Sequence, residues 1–198
     1  MKIGICNDHA GVEYKKKLVK MLRERGHEVV NYGTDSEVSC DYPDFAHRLA
    51  TAVETKEVEI GIALCGTGNG MAITLNKHQG IRAGLAWSSE VGRLVKAHNN
   101  ANVLVLPARF ISYRIASNVV RTWLDTDFEG GRHQRRIDKM PCKLVLSFRA
   151  ARRNPFRMTS RTIPTASSFP STNRIDGPRP MSSGRLSSRL SGTSARRT

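Results

Sequence analysis

Residues 58–71, VEIGIALCGTGNGM, combine a short apolar run with a glycine-rich loop. The run is rich in Ile and Val, which is typical of a buried parallel strand. The residues after the loop, MAITLN at 71–76, have the composition of a helix packed on a sheet. A strand, a glycine loop and a helix in this order leave unpaired N–H groups and the positive end of a helix dipole where an anion can bind.

Cys65 lies where the apolar run meets the glycine loop. We expect the loop amides and the helix dipole to lower the pKa of this thiol from its free value of about 8.5, which raises the thiolate fraction. A buried cysteine is more often a small apolar core residue, and a GTGNG loop alone is a weak signal. These residues by themselves leave both a catalytic and a structural Cys65 open.

The first 125 residues alternate short apolar runs with amphipathic stretches, and each pair has the length of a βα repeat. This alternation predicts an α/β fold in which helices cover both faces of a five-stranded parallel sheet. The predicted strands are 2–6, 28–32, 59–64, 81–86 and 102–106, and the predicted helices are 12–25, 44–55, 68–77, 89–97 and 112–124.

Ligands of such folds bind at the carboxyl ends of the strands. Asp8 and His9 follow the first predicted strand, Cys65 follows the third and Arg109 follows the last. An acid, an imidazole, a thiol and an arginine are therefore placed where one pocket can collect them.

The first predicted helix has an apolar face formed by Leu18, Val19 and Leu22. Its basic residues are more typical of a solvated surface than of a binding site. We expect four basic side chains of this helix to face water: Lys15, Lys16, Lys17 and Arg23.

The basic charge of the chain is concentrated in its C-terminal part. Residues 1–140 hold 20 Lys and Arg against 16 Asp and Glu, whereas residues 141–198 hold 12 against 1, a net charge of +11. The second range is dominated by Arg, Ser, Thr and Pro, and it has too few apolar residues to offset the entropy of folding. We predict a folded domain at 1–140 and a disordered basic tail at 141–198.

Two interpretations of this tail stay open, a polybasic arm that binds nucleic acid or anionic lipid and an extension without function. The Ser and Arg residues at 183–189 have no aromatic residue between them that could stack on bases. We therefore do not expect nucleic acid as a partner.

The four cysteines show no CxxC spacing, which gives neither a zinc nor a redox signature. The sequence has no signal peptide and no apolar run of about 18 residues. We expect a cytoplasmic protein without a membrane partner and, because that compartment is reducing, without disulfides.

Five motifs follow one another along residues 1–140: NDHAG at 7–11, DYP at 41–43, CGTGNG at 65–70, HNNAN at 98–102 and EGGRHQRR at 129–136. Together they resemble the type B ribose-5-phosphate isomerases, a family that includes isomerases of galactose 6-phosphate and allose 6-phosphate. The match fades after Met140, where family members usually finish a terminal helix.

The resemblance implies a Rossmann-like three-layer sandwich and a homodimer, or a dimer of two such dimers, with active sites at the subunit interface. It also implies the interconversion of D-ribose 5-phosphate and D-ribulose 5-phosphate through an enediolate, a step of the pentose phosphate pathway. Neither a metal nor an organic cofactor is expected.

Two alternatives to this activity stay open. One is an isomerase of a six-carbon sugar phosphate, since an extra carbon changes the length of the pocket more than the chemistry. The other is a non-catalytic protein that binds a sugar phosphate or a nucleic acid on the same scaffold.

The resemblance also assigns the chemistry. Cys65 matches the base that removes the C2 proton, and the loop holds no carboxylate that could replace it. Thr67 and the amides of Gly66, Gly68, Asn69 and Gly70 would stabilise the oxyanion.

The other assignments concern ring opening and substrate binding. His98 matches the residue that opens the sugar ring, since an imidazole exchanges protons at neutral pH. Asn99 and Asp8 would bind hydroxyl groups, and Tyr42 would line the pocket. The phosphate is assigned to His9, Arg109, Arg132 and Arg136, of which the last two share a helix face at a spacing of four residues.

The residues alone leave a structural role open at several of these positions. His98 could stabilise the end of a helix, and Asp8 is a common N-cap. Tyr42 before Pro43 is typical of a loop, and Arg132 with Arg136 could be a solvated cluster.

Overall fold

The computed structural model describes residues 1–141. The strands are β1 (Lys2–Asn7), β2 (Glu28–Asn31), β3 (Ile60–Cys65), β4 (Ala83–Leu85) and β5 (Val103–Pro107), and the helices are α1 (Val12–Glu24), α2 (Tyr42–Glu54), α3 (Asn69–Leu75), α4 (Ser89–Asn99), α5 (Tyr113–Leu124) and α6 (Arg132–Ile137).

The five strands form one parallel sheet in the order β2-β1-β3-β5-β4. β1 pairs with β3 in a register that places Asn7 beside Leu64, and β3 pairs with β5 so that Cys65 lies beside Pro107. The predicted five-stranded parallel sheet is confirmed. Because the chain leaves β1 first toward β2 and later returns to β3 on its other side, the order reverses between β1 and β3.

Alternate residues of the strands face opposite layers. Ile3 and Ile5 belong to a core that includes Leu18 of α1 and Trp123 of α5. Cys6 belongs to the other core, which is formed largely by side chains of α2 and α3. The sheet is therefore the middle of three layers, as predicted.

Strand β4 is shorter than the predicted strand 81–86. The backbone N–H groups of Arg82 and Ala83 donate to the side chains of Asn102 and Asn76. These amide side chains take the place of strand partners, which the apolar pattern could not indicate. Helix α6 was also absent from the predicted helices, although the spacing of Arg132 and Arg136 is helical.

The expectation that four basic side chains of α1 face water is wrong for Lys15. This residue is 2% exposed. Its ammonium group donates to Asp35 Oδ1 at 2.7 Å and to the Thr34 carbonyl at 2.6 Å. The other three of these side chains are exposed, as predicted: Lys16, Lys17 and Arg23.

The predicted disordered tail at 141–198 lies, apart from Pro141, outside the described residues. Within residues 1–141, no helix is both long and apolar enough to span a membrane.

Candidate active site

Asp8 and Cys65 lie at the carboxyl ends of β1 and β3, where the strand order reverses. This is the position at which open α/β sheets form a ligand crevice. The Asp8 amide donates to the Leu64 carbonyl, which ties the two strand ends together. Asp8 is 4% exposed and Cys65 is 8% exposed, so both groups are nearly enclosed.

A carboxylate and several backbone N–H groups lie beside the Cys65 thiol and have opposite effects on its pKa. Burial and the neighbouring Asp8 carboxylate raise the pKa of the thiol, while the backbone N–H groups of Gly68 and Gly66 act in the opposite direction. The prediction that the glycine loop lowers the pKa of Cys65 is therefore wrong. The loop amides reach the sulfur, but desolvation and an adjacent carboxylate outweigh them.

The backbone conformation of the glycine loop favours glycine at position 68. Gly68 has a φ of 78° and precedes the first turn of α3. A Cβ at this position would collide with Leu85. The Thr67 hydroxyl accepts from the Asn69 amide at 3.3 Å, and the Thr67 and Asn69 side chains are exposed. The loop thus presents amides and one hydroxyl beside the thiol.

Three further predicted residues lie at this same edge of the sheet. The Arg109 amide donates to the Gly66 carbonyl, and the Arg109 side chain covers Gly66. The Tyr42 ring lies against Gly70 so closely that a Cβ there would be 2.5 Å from the ring. His9 directly follows Asp8, and its Nδ1 is 3.9 Å from Cys40 Sγ.

His98 belongs to a second group of residues. It lies in the last turn of α4, and its Nε2 is 3.5 Å from Glu129 Oε2. His133 Nε2 is 3.6 Å from the same oxygen. The rings of His98 and His133 are stacked, with centroids 4.1 Å apart and planes at 7°.

This second group lies at the opposite edge of the sheet from Cys65. Helix α4 ends at Asn99, and β5 begins at Val103, which pairs with Gly61 near the start of β3. Cys65 is four residues further along β3, a distance of about 13 Å at the usual rise of a strand. One chain therefore does not bring the His98 imidazole to the Cys65 thiol.

The remaining predicted residues belong with His98. The Arg82 guanidinium donates to the Asn99 carbonyl at 3.2 Å. The Asn99 side chain is exposed. Helix α6 follows a segment whose Glu129 amide donates to the Ala97 carbonyl of α4. Arg132 and Arg136 of α6 are exposed and line one basic depression.

Three of the described residues could hold a metal ion. The candidate ligand atoms of His98, Glu129 and His133 lie within 4.8 Å of one another. Arg132 Nε, however, is 3.3 Å from His133 Nε2. This guanidinium occupies one of the candidate nitrogens and places a positive charge where a cation would bind.

Glu129 and His133 had no role assigned from the sequence. They are four residues apart, but Glu129 precedes α6 and is separated from it by Gly130 and Gly131, which both have a positive φ, so the spacing was not a helical signal. The buried Lys15 had no signal either, because nothing in a run of three lysines marks the one that lies beneath a loop.

Residues 3–140 match the family model described as Ribose/Galactose Isomerase. The chain is 42% identical over 137 residues to ribose-5-phosphate isomerase B of Escherichia coli (strain K12), with 69% of this chain and 92% of that protein covered.

Solved structures give the same result. A ribose 5-phosphate isomerase of Thermotoga maritima is 48% identical, with a TM-score of 0.68, and the match covers 70% of this chain and 95% of that one. Ribose-5-phosphate isomerase B of Mycoplasma genitalium, solved with bound ribulose-5-phosphate, is 37% identical, with a TM-score of 0.68 and coverage of 76% and 97%.

Proposed function

Because this chain belongs to the ribose/galactose isomerase family, we propose that it interconverts D-ribose 5-phosphate and D-ribulose 5-phosphate with Cys65 as the base. The chain is an aldose-ketose isomerase. The observation that carries the assignment of the base is the position of Cys65 at the switch point of the sheet, beside Asp8 and the loop amides.

The reaction moves one proton between two carbons and a second proton between two oxygens. The Cys65 thiolate takes the proton from C2 of the open-chain aldose, and the electron pair of the C–H bond converts the C1 carbonyl into an enediolate. The proton of the C2 hydroxyl passes to the C1 oxygen, the thiol returns a proton to C1, and the carbonyl forms at C2. The amides of Gly66 and Gly68 with the Thr67 hydroxyl are the donors that stabilise the charged oxygen.

The raised pKa of Cys65 bears on this step. A neutral thiol beside Asp8 is the resting form that burial favours. The base becomes active when the thiol loses its proton, so we expect activity to rise with pH across the range in which Cys65 ionises.

Ring opening and binding are assigned to the other residues. His98 supplies the proton for the ring oxygen, and Asn99 binds a hydroxyl group. Asp8 and Tyr42 contact the sugar from the side of Cys65. The phosphate binds among the cationic side chains His9, Arg109, Arg132 and Arg136.

This set of residues supports a homodimer. His98 and Cys65 lie at opposite edges of one sheet. A second copy related by two-fold symmetry can place its own α4 and α6 against the carboxyl edge of the first, which completes two equivalent sites. His98, Asn99, Arg132 and Arg136 then come from the partner subunit.

The first test is turnover of ribose 5-phosphate by the purified protein without added metal or cofactor. We expect ribulose 5-phosphate to form, and Cys65→Ala to reduce turnover by about a thousandfold or more, as loss of the residue that carries the chemistry does. Near-normal turnover by Cys65→Ala would reject the base, and turnover that requires an added metal would reject a cofactor-independent reaction.

The same assay distinguishes the alternatives. A higher kcat/KM for allose 6-phosphate or galactose 6-phosphate would identify a six-carbon substrate. Binding of a sugar phosphate without turnover would favour a binding protein. The cytoplasmic location and the role of residues 142–198 stay predictions.

A further inference from the structure

His98, His133 and Glu129 form one cluster at the end of α4. The rings of His98 and His133 are stacked, with centroids 4.1 Å apart and planes at 7°. Glu129 Oε2 lies 3.5 Å from His98 Nε2 and 3.6 Å from His133 Nε2. The His98 ring is therefore held on its flat face by His133 and at its Nε2 edge by Glu129.

His133 is the more enclosed of the two rings. The His133 side chain is 7% exposed, and Arg132 Nε is 3.3 Å from its Nε2. Burial, with the nearby His98 and Arg132, lowers the pKa of His133. The His98 side chain is 32% exposed and does not share this guanidinium contact.

We infer that Glu129 and His133 are positioning residues that hold the His98 ring in one orientation for ring opening, an inference that rests on the proposed function. Glu129 holds the Nε2 edge of the ring. His133 supports its flat face. Neither residue touches the reacting atoms.

Ring opening needs the His98 imidazole to give one proton and to take another at fixed positions. The bond between C1 and the ring oxygen breaks, its electron pair passes to the oxygen, and that oxygen takes a proton from the imidazolium. The C1 hydroxyl then gives its proton to the neutral imidazole and becomes the aldehyde, which restores the charged ring.

Other charged groups also surround the pair. Arg132 and Arg136 oppose a positive charge near His133, and Glu90 lies within electrostatic reach of His98 on the same helix. The further ionisable groups near this end of α4 are Arg82, Arg93, Lys96 and Asp127. Among all of these, Glu129 is the carboxylate that contacts both imidazoles.

The test compares two assays, of which only one requires the sugar ring to open. Turnover of ribose 5-phosphate begins with a closed furanose. Ribulose 5-phosphate cannot form such a ring, because its C5 oxygen carries the phosphate. Exchange of its C1 hydrogen with deuterium oxide therefore needs Cys65 and the enediolate but no ring opening. A third measurement, the ring-current shift that the stacked His133 ring imposes on the His98 ring protons, is read by NMR and needs no activity.

We expect Glu129→Gln to lower kcat/KM for ribose 5-phosphate by about tenfold to a hundredfold, a fraction of what general acid catalysis contributes. Exchange into ribulose 5-phosphate should change much less, and the ring-current shift of the His98 ring protons should shrink. Glu28→Gln, which removes an exposed carboxylate from the edge strand β2 at the other end of the sheet, is the charge-matched control and should change none of the three.

His133 is tested by a pair of variants. His133→Ala removes the stacked ring and should lower ribose 5-phosphate turnover by about tenfold while exchange persists. His133→Phe keeps a flat ring and should restore most of that loss.

Two results would overturn the inference. One is an equal loss in turnover and exchange, which indicates general damage to the site. The other is an unchanged ring-current shift of His98 in Glu129→Gln. If the wild-type protein shows neither turnover nor exchange, the proposed function fails, and the NMR measurement alone decides whether Glu129 holds the His98 ring in place.

Discussion

The Asp8 carboxylate faces the Cys65 thiol as a hydrogen-bond acceptor, and it is one cause of the raised pKa of that thiol. Asp8 Oδ1 also accepts from the Ala10 amide at 2.9 Å, which fixes the carboxylate in place. The thiolate form of Cys65 is therefore disfavoured by a fixed negative charge nearby. The loop amides of Gly66 and Gly68 offset part of this effect.

We predict that Asp8→Asn lowers the pKa of Cys65, because asparagine removes the charge but keeps a polar group of the same shape. The pH dependence of alkylation by iodoacetamide should move to lower pH. The sign follows from the cause, since a carboxylate favours the protonated thiol. Mass spectrometry of the alkylated peptide measures the rate at Cys65 itself.

Cys40 provides the internal control for this experiment, since it is a partly exposed thiol of the same protein, whereas Cys65 is buried. Asp8→Asn should leave its alkylation profile in place. If the profile of Cys65 stayed in place as well, the effect attributed to Asp8 would be wrong.

We predict that Lys15→Met destabilises the fold by about 2 kcal/mol, because it removes the hydrogen bonds that a buried ammonium group donates to the loop above it. The Lys15 ammonium donates to the Thr34 carbonyl and to Asp35. Asp35 is 74% exposed, so water can hydrate it and the loss stays below that of a fully buried pair. Urea denaturation gives the free energy of unfolding.

The difference between wild type and Lys15→Met should also depend on pH. Lys15 lowers the pKa of Asp35, so the pair stabilises the fold above the usual range of an aspartate and loses this effect as pH falls through the lowered value. Lys16→Met is the matched control, because Lys16 pairs only with the exposed Glu13. An equal effect of both substitutions would mean that the burial of Lys15 does not matter.

The strands and the switch-point residues could be predicted from sequence, because apolar runs and glycine loops report local structure. The run before Cys65 is a buried strand in which every residue from Gly61 to Cys65 is enclosed. The direction of the pKa shift of Cys65 could not be predicted, since it depends on how deeply the fold buries the thiol and on Asp8, which is 57 residues away in sequence. The pairing of His98 with Glu129 and His133 depends likewise on how the segment after α5 returns to α4.

We predict that Gly68→Ala destabilises the protein more than Gly26→Ala. Both glycines have nearly the same positive φ, 78° and 79°, so both substitutions carry the same backbone strain of about 1 kcal/mol. A Cβ at Gly68 would also collide with Leu85, whereas a Cβ at Gly26 has nothing within 4 Å. The extra cost should be about 1 kcal/mol in the free energy of unfolding, the lower end for an overpacked core, because the close contact is with the end of one side chain. Equal costs would show that Leu85 or the loop moves aside freely.

We predict that two inactive variants regain activity when their subunits are mixed. A Cys65→Ala chain keeps an intact α4, and a His98→Asn chain keeps an intact thiol. If each site takes Cys65 from one subunit and His98 from the other, a mixed dimer contains one site with both residues intact and one site that lacks both.

The amount of activity decides between the arrangements. Random exchange of equal amounts gives mixed dimers in half of the population, so about a quarter of wild-type activity should return if the interface is two-fold symmetric. The subunits are unfolded together and refolded, and ribose 5-phosphate turnover is compared with that of each variant refolded alone. If both residues acted within one chain, every mixed dimer would lack an intact site and no activity would return. That outcome would also conflict with the opposite sheet edges at which α4 and β3 end, since it would require His98 to reach Cys65 along the length of its own sheet.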